Sequence, residues 1–331
     1  MRNEIVVKID MFASDIHYLR HIYPLWNKLD DDLKGDVMVH DNVMPIAAAL
    51  GLYAKDYTRN YDRAVLVAGM RDARMAKNHA RVVLMEHGVG QSYSDGHSYY
   101  AGGNNREFID LFLCPNSHVA TANKKRYPDV PCEVVGTPAM DYWHRSADAW
   151  DADTHTDVGL SFHWQPESGE PEMGSALSHY ARVFEDLAKR FQGNLVGHGH
   201  PRINRQAQAV YRASGIPWRT LKEIYSECGV FCVDNSSVLF EFASLNKPVV
   251  VLNAPYMRKD VHHGLRFWEY ADVGVQCDSP DNLALSIEVA IIDPPEIRKR
   301  RQEISEWLYP YRGFASHRAA TVLTRNLTAW G

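Results

Sequence analysis

Short runs of valine, isoleucine and leucine alternate with segments of helical spacing along the chain. In the first half, the apolar runs predict strands at Ile5–Ile9, Asp36–Val39, Ala64–Ala68, Arg81–Met85, Leu111–Cys114 and Cys132–Val135. Between them, helical spacing predicts helices at Ser14–Leu29, Met44–Leu52 and Ser117–Arg126, with Ser14 and Ser117 as N-caps. Apolar strands separated by helices are typical of a parallel sheet covered on both faces. The first half therefore predicts a doubly wound α/β domain.

The second half repeats this alternation. Its apolar runs predict strands at Val158–His163, Asn194–Gly197, Gly229–Val233, Pro248–Leu252 and Gly274–Cys277. Helices are predicted at Gly174–Phe191, Ile203–Ser214, Ser236–Leu245, Pro280–Ile292 and Pro295–Leu308. We therefore expect a second doubly wound domain.

The order of these elements predicts two Rossmann-type α/β domains that face each other across a cleft. We expect an N-terminal acceptor domain over residues 1–140, a linker over 141–155 and a nucleotide-donor domain over 156–310. A C-terminal helix over 311–331 is expected to pack back on the first domain. In open parallel sheets, ligands bind at the carboxyl ends of the strands. We therefore expect the functional residues to lie where strands end.

Composition narrows the class of protein. The 331 residues carry 36 Lys and Arg against 41 Asp and Glu, so the net charge is −5 and there is no broad basic field for nucleic acid. Two local basic patches remain, at Lys124–Arg126 and Arg298–Arg301. The first residues do not resemble a signal peptide and no run is long enough to span a membrane. We expect a cytoplasmic protein without integral membrane association, with its five cysteines reduced.

The first candidate for chemistry follows the strand at Arg81–Met85. Glu86, His87, Gly88 and Gly90 come directly after it, in a glycine-rich turn at the edge where ligands are expected. A neutral imidazole there is suited to take a proton from an attacking hydroxyl, because its ordinary pKa lies near working pH. We predict His87 as a general base, oriented by Glu86 or Asp95, with Gly88 and Gly90 at the cleft.

The second candidate follows the strand that ends before Asp234. Asn235, Ser236 and Ser237 lead there into a helix, where backbone amides and hydroxyls can bind phosphate. The alternative is that Asn235 or Ser236 only caps the helix. Glu241, one turn later, would accept ribose hydroxyls or face solvent.

The third candidate is the strand end with His198, Gly199, His200, Pro201 and Arg202. We predict His200, and after it Arg202, as hydrogen-bond donors to a diphosphate. If the strand stays extended, His198 points the same way as His200. Two histidines at this spacing could hold zinc, but no further ligands are evident in the sequence. We predict no metal and no cofactor.

These motifs together resemble a known family. His87-Gly88, His200-Pro201, Asp234-Asn235-Ser236-Ser237, Lys247-Pro248 and Gly264–Glu269 are similar to motifs of the CDP-glycerol glycerophosphotransferases of teichoic-acid synthesis. The resemblance implies a GT-B architecture, with His87 as catalytic base and with His200, Ser236 and Ser237 on the donor diphosphate. His263 and Arg266, in or beside the last motif, are further candidates for the cleft.

The resemblance leaves the donor and acceptor open. The family has an aromatic residue where this chain has Asn235, and a lysine soon after His-Gly where this chain has Val89–Ser92. A nucleotide sugar is therefore an alternative donor to CDP-glycerol. The acceptor hydroxyl would belong to a glycan, a lipid-linked intermediate or a hydroxylated nucleobase in DNA. A UDP-sugar 2-epimerase and a non-catalytic nucleotide-binding module also fit a protein of this architecture. The sequence does not determine the oligomeric state.

Overall fold

The computed structural model describes residues 7–89, 106–147, 157–165, 174–257 and 270–331. Contacts divide the chain into two compact units. The described part of unit 1 comprises residues 7–89, 106–145 and 308–331. The described part of unit 2 comprises 146–147, 157–165, 174–257 and 270–307.

Unit 1 is built on a seven-stranded sheet in which all pairings are parallel. In chain order its strands are β1 (Ile9–Ala13), β2 (Lys34–Val39), β3 (Ala54–Lys55), β4 (Ala64–Val67), β5 (Arg81–Met85), β6 (Leu111–Cys114) and β7 (Cys132–Val134). Their order across the sheet is β3-β2-β1-β4-β5-β6-β7. The ends of β1, β4 and β5 are therefore neighbours.

Helices cover both faces of this sheet. They are α1 (Ile16–Trp26), α2 (Met44–Ala49), α3 (Met70–Ala76), α4 (Ser117–Arg126) and α5 (Asp141–Ser146). Alternate residues of β1 enter different cores, because successive strand side chains point to opposite faces. Met11 packs in the core that includes α1, whereas Phe12 packs in the core that includes α3.

Unit 2 repeats the arrangement with five parallel strands. These are β8 (Asp157–Phe162), β9 (Leu195–Gly199), β10 (Cys228–Val233), β11 (Val249–Leu252) and β12 (Val275–Cys277), in the order β12-β11-β10-β8-β9. Its helices are α6 (Leu177–Tyr180), α7 (Phe184–Arg190), α8 (Asn204–Ala213), α9 (Leu221–Glu227), α10 (Val238–Ala243), α11 (Leu283–Ile292) and α12 (Pro295–Leu308). The last residue of α12, Leu308, is the first residue of the C-terminal segment of unit 1. The predicted fold class, two parallel-sheet α/β domains, is confirmed.

The last helix, α13 (Ala315–Trp330), belongs to unit 1. Leu323 and Leu327 lie in the same core as Met11. The buried Asp141 carboxylate accepts the backbone N–H groups of Ala315 at 2.9 Å and Ser316 at 2.8 Å. A carboxylate at a helix N-terminus stabilises the helix by satisfying amides that have no partner within it. Among the described helices, none has both the length and the apolar character that crossing a membrane requires.

Several element boundaries differ from the prediction. The first strand runs Ile9–Ala13 rather than Ile5–Ile9, and it contains the buried Asp10. The Asp10 carboxylate accepts the Asp36 N–H at 2.7 Å and is paired with Arg63 at 3.2 Å, so an acid is tolerated inside this strand. The predicted helix over Gly174–Phe191 is divided into α6, a 3-10 turn and α7. The residues expected to start the linker form α5.

The predicted helix caps are each displaced by one residue. Asp15 caps α1, because the Ser14 hydroxyl instead donates to the Asp72 carboxylate. Asn116 caps α4 by accepting the Val119 N–H at 3.0 Å. An asparagine side chain can accept at a cap and donate elsewhere at the same time, and Asn116 does both.

Candidate functional site

The carboxyl edge of the unit 1 sheet gathers histidines from two elements. His87 follows β5, and His17 and His21 lie on α1, which follows β1. The ring centroids of His17 and His21 are each 5.9 Å from that of His87. The Tyr18 ring is 5.3 Å from His87 and packs over Gly69, where any side chain would clash with it. The strand order makes this cluster, since β4 lies between β1 and β5.

His87 is held by a backbone carbonyl. Its Nδ1 lies 2.8 Å from the Ala68 oxygen. A carbonyl oxygen can only accept, so Nδ1 carries the proton and the lone pair of the neutral ring is on Nε2. Among the described residues, Nε2 has no hydrogen-bond partner. The ring is therefore arranged to accept a proton at Nε2.

The surroundings favour the neutral form of this ring. His87 is exposed, but protein atoms surround much of the imidazole. This desolvation, followed by the neighbouring His17, lowers the pKa of His87 below its ordinary value. Burial, with Arg20 and His87, lowers the pKa of His21 well below the ordinary value. A neutral imidazole at physiological pH is what a general base requires.

Glu86 does not orient His87. Its carboxylate is paired with the buried Arg106 guanidinium, and Asn123 donates to the same carboxylate at 3.1 Å. The predicted orienting role of Glu86 is therefore wrong, because its oxygens serve Arg106 and Asn123 while Ala68 holds His87. Asp95, the other candidate, lies outside the described residues.

The turn that follows His87 is held independently. Gly88 has a φ of 74°, in the left-handed region that favours glycine. The Asn116 side chain donates to the Val89 carbonyl at 2.7 Å and to the Leu308 carbonyl at 3.2 Å. Both sides of His87 are thus fixed by buried polar groups, which limits the freedom of the turn.

The carboxyl edge of unit 2 is organised around the buried Asp234 at the end of β10. Its carboxylate accepts the backbone N–H groups of His163 at 2.7 Å and Ala176 at 2.8 Å. These bonds hold the segment after β8 beside the end of β10, since the two strands are neighbours. Asp234 is therefore a support for this edge.

His200 carries its proton on the opposite ring nitrogen from His87. Its Nδ1 accepts the backbone N–H of Arg202 at 3.2 Å. An amide can only donate, so Nδ1 is unprotonated and the ring proton of the neutral form is on Nε2. The ring lies 5.1 Å from that of His163 and 6.1 Å from that of Trp164. The Arg202 guanidinium lies 4.3 Å from the Trp164 ring centroid. An N–H donor and a cation therefore share this edge.

Ser236 and Ser237 are half-buried at the start of α10. The helix begins at Val238 rather than at Ser236, and it has only six residues. Ser237 is the N-cap but makes no side-chain cap hydrogen bond, so its hydroxyl does not close the helix. Asn235, also half-buried, precedes them in the same turn.

Glu241 and Lys247 lie in the packing. Glu241 is 2% exposed and accepts the Tyr225 hydroxyl, so it does not face solvent. Lys247 precedes β11, at the opposite edge from the serines, and donates to the carbonyls of Tyr225 at 2.7 Å and Cys228 at 3.1 Å. Burial lowers the pKa of Lys247 to about 8. The Lys-Pro part of the motif thus has a structural role here.

His198 and His200 do not share surroundings. His198 is 9% exposed, bonded at Nδ1 to the Ser161 hydroxyl at 2.9 Å and stacked on Trp218. β9 ends at Gly199, and His200, the N-cap of a 3-10 turn, has its ring beside those of His163 and Trp164. Within the described ranges, no group of three or more His, Cys, Asp or Glu is arranged to hold a metal ion.

Three predicted cleft residues, Gly90, His263 and Arg266, lie outside the described residues. In the predicted basic patch at Arg298–Arg301, the three arginines are paired with carboxylates. Arg301 is fully buried against Asp293, and Arg298 and Arg300 are paired with Asp293 and Asp272. Salt bridges neutralise the charge that a DNA backbone would need.

Sequence reasoning missed four side chains of these edges: His17, His21, His163 and Trp164. The first two are an i, i+4 pair directly after the first strand, and such pairs share a helix face. His163 ends a predicted strand and Trp164 follows it, much as His87 follows the strand at Arg81–Met85. Both signals are present in the sequence. Only the strand order, however, shows which residues these four side chains contact.

The sequence matches no known protein family and no curated protein. Solved structures share the fold. A complex of S. aureus MnaA with UDP is 17% identical, with a TM-score of 0.64 over 97% of both chains. The UDP-GlcNAc 2-epimerase from Neisseria meningitidis bound to UDP-GlcNAc is 14% identical, with a TM-score of 0.63 over 97% of this chain and 100% of that one. The wall teichoic acid polymerase TagF is 12% identical, with a TM-score of 0.65 over 99% of this chain and 92% of that one. At these identities the likeness identifies the fold, which is GT-B-like.

Proposed function

We propose that this protein is a metal-independent transferase that moves a glycerophosphate or glycosyl group from a nucleotide-diphosphate donor to an acceptor hydroxyl. The observation that carries the proposal is the opposite placement of the ring protons of His87 and His200. The neutral His87 ring has its lone pair on Nε2, whereas the neutral His200 ring has its N–H there. The first suits a base and the second suits a donor to an anion.

In the proposed reaction, unit 1 binds the acceptor. The acceptor hydroxyl gives its proton to His87 Nε2 while its oxygen bonds to the transferred group. That group is the distal phosphorus of CDP-glycerol or the anomeric carbon of a nucleotide sugar. The bond to the leaving nucleotide breaks, and its electron pair stays on the leaving phosphate oxygen.

Unit 2 binds the donor in this proposal. Negative charge grows on the leaving phosphate, and donors fixed in advance stabilise it without reorganisation. The His200 Nε2–H, the hydroxyls of Ser236 and Ser237, and the Arg202 cation supply this role, with Asn235 in the same turn. Arg202 is held near the edge by its contact with Trp164. Glu241 would reach a ribose only if its bond with Tyr225 opened.

The second candidate is a UDP-sugar 2-epimerase. Solved structures that include MnaA with UDP and a UDP-GlcNAc 2-epimerase share the fold as closely as TagF does. The unit 1 edge favours transfer. Three described carboxylates of this edge are engaged: Asp15 with His17, Asp72 with Ser14, and Glu86 with Arg106. Elimination and re-addition at a sugar ring would need acids that are available to the substrate.

The test has two stages. Isothermal titration with CDP and UDP measures which nucleotide binds. Mass spectrometry and ¹H NMR, which distinguishes sugar epimers of equal mass, then follow CDP-glycerol and UDP-GlcNAc with and without glycerol. Transfer to glycerol, absent in His87→Ala, supports the proposal. Conversion of UDP-GlcNAc without glycerol would contradict it and support the epimerase. Nucleotide binding without turnover under either condition would leave a binding module.

A further inference from the structure

The Asp15–His17 pair lies beside His87 and is not used by the mechanism above. His17 Nδ1 lies 2.8 Å from the Asp15 carboxylate, which also caps α1 by accepting the His17 N–H at 3.3 Å. The side chain of His17 is 28% exposed. Its ring contacts Tyr18 at 3.9 Å between centroids. Two neighbours therefore fix a partly exposed imidazole next to the candidate base.

Both imidazoles are anchored through Nδ1. The Ala68 carbonyl is hydrogen-bonded to Nδ1 of His87, and the Asp15 carboxylate forms an ion-pair contact at 2.8 Å with Nδ1 of His17. Since both partners accept, each neutral ring has its lone pair on Nε2. The two rings therefore offer acceptor nitrogens, with centroids 5.9 Å apart.

One hydroxyl cannot serve both nitrogens, because it has a single proton to donate. A hydrogen bond from a hydroxyl spans about 2.8 Å, so two rings at this spacing can each receive one from neighbouring hydroxyls of the same molecule. We propose that His17, held by Asp15, determines acceptor specificity by binding the hydroxyl next to the one that His87 deprotonates. The acceptor is then a vicinal diol, as in a sugar or a glycerol group.

His21 does not compete for this role. It is 7% exposed, whereas His17 is more open. Together with Tyr18 it forms the packed side of the cluster. Among the described charged groups, Asp15 lies beside His17, and Glu86 and Arg106, which are paired with each other, lie near His87.

The inference rests on the proposed function and deepens it. His17 takes no proton in the reaction. It accepts a hydrogen bond from the second hydroxyl, and this contact selects which oxygen of the diol attacks. The loss of His17 therefore affects acceptor recognition, while the loss of His87 affects proton removal.

Two substitutions separate the functions of the His17 ring. His17→Asn keeps an N–H that can reach Asp15 but has nothing at the position of Nε2. His17→Gln places an amide oxygen near that position. Transfer is measured to 1,2-propanediol, 1,3-propanediol and 1-propanol, with the donor that the wild-type protein consumes. One neutral hydrogen bond corresponds to about a twofold to tenfold preference.

We expect wild-type protein to favour 1,2-propanediol through a lower KM. His17→Asn should raise the KM for 1,2-propanediol by a larger factor than the KM for 1-propanol and so remove the preference. His17→Gln should restore part of the preference. An equal loss with every acceptor, or a preference that persists in His17→Asn, would overturn the inference.

Failure of the proposed function gives a different result, because the wild-type protein then transfers to no alcohol. In that case ¹H–¹³C spectra of the histidine rings decide the inference alone. 1,2-Propanediol, and not 1-propanol, should shift the His17 and His87 resonances together. No shift, or equal shifts with both alcohols, would overturn it.

Discussion

The two sheets place a histidine at equivalent edges, and the contacts at Nδ1 put the ring protons on opposite nitrogens. His87 follows β5 in unit 1 and meets a carbonyl, whereas His200 follows β9 in unit 2 and meets an amide N–H. The backbone group at Nδ1 therefore decides whether Nε2 accepts or donates. The functional assignment of a histidine at a strand end depends on a single backbone contact that its sequence position does not reveal.

The supports of the two edges are similar. In unit 1, the buried Asp72 accepts the N–H of Ser14, so a carboxylate after β4 holds the residue after β1. In unit 2, the buried Asp234 after β10 holds His163 after β8. In both, an aspartate fixes the chain that leaves the neighbouring strand. The histidine tautomers of the two edges differ although the supporting aspartates are alike.

The largest expected effect is that of His87→Ala. Removing a general base should lower kcat by about 10²- to 10⁴-fold, while donor binding to unit 2 stays unchanged. The measurements are kcat and the Kd of the donor. His317→Ala, at an exposed position on α13, is the matched control and should behave as wild type. Turnover of His87→Ala within about tenfold of wild type would contradict the assignment of the base.

The next effect belongs to His200. His200→Asn keeps an acceptor for the Arg202 N–H but loses the donor at Nε2, whereas His200→Gln keeps a donor near that position. One hydrogen bond to a charged group corresponds to roughly 10- to 100-fold in affinity. We therefore expect His200→Asn to lose affinity for CDP or UDP by this factor and His200→Gln to lose much less. Calorimetry measures the affinity of both variants. Equal affinities for the two variants would show that Nε2 does not bind the donor.

A smaller effect is expected for Ser237→Ala. The Ser237 hydroxyl makes no cap hydrogen bond, so the substitution should leave Tm unchanged while it weakens nucleotide binding by about twofold to tenfold. Thermal unfolding and calorimetry measure the two quantities. A lower Tm with unchanged nucleotide affinity would indicate that this turn serves only the helix.

The smallest effect is a displacement of the pH profile. The base must be neutral, so kcat/KM should fall as the pH drops through the pKa of His87. Because that pKa is lowered, the midpoint should lie below about pH 6.5, the ordinary value for histidine. His17 contributes to the lowering, so His17→Asn should move the midpoint upward. A wild-type midpoint above that ordinary value, or a downward movement in His17→Asn, would contradict the assignment.

Strands can be predicted where burial on both faces demands an unbroken apolar run. Arg81–Met85 and Leu111–Cys114 have the predicted bounds. The position of β1 could not be predicted, because Asp10 interrupts its apolar run and the partners Asp36 and Arg63 are distant in sequence. β3 has only two residues, too few for a pattern. Contacts with remote residues thus decide the elements that periodicity misses.

The candidate site, like the strands, can be predicted from the sequence only in part. The position of His87 at a carboxyl edge follows from the βα alternation alone. Its neighbours do not, because His17 meets it only through the strand order β1-β4-β5. The orienting Ala68 carbonyl is also unpredictable, since every residue has such an oxygen. The residue types at a strand end are visible in the sequence, but their partners across the sheet are not.

The ¹⁵N chemical shifts of the His87 and His200 rings test the central claim most directly. Protonated and unprotonated ring nitrogens resonate far apart, so the neutral tautomer of each ring can be determined in the intact protein, with His87→Ala and His200→Asn to assign the signals. We predict a proton on Nδ1 of His87 and on Nε2 of His200. The same tautomer in both rings, or the reverse assignment, would contradict the account.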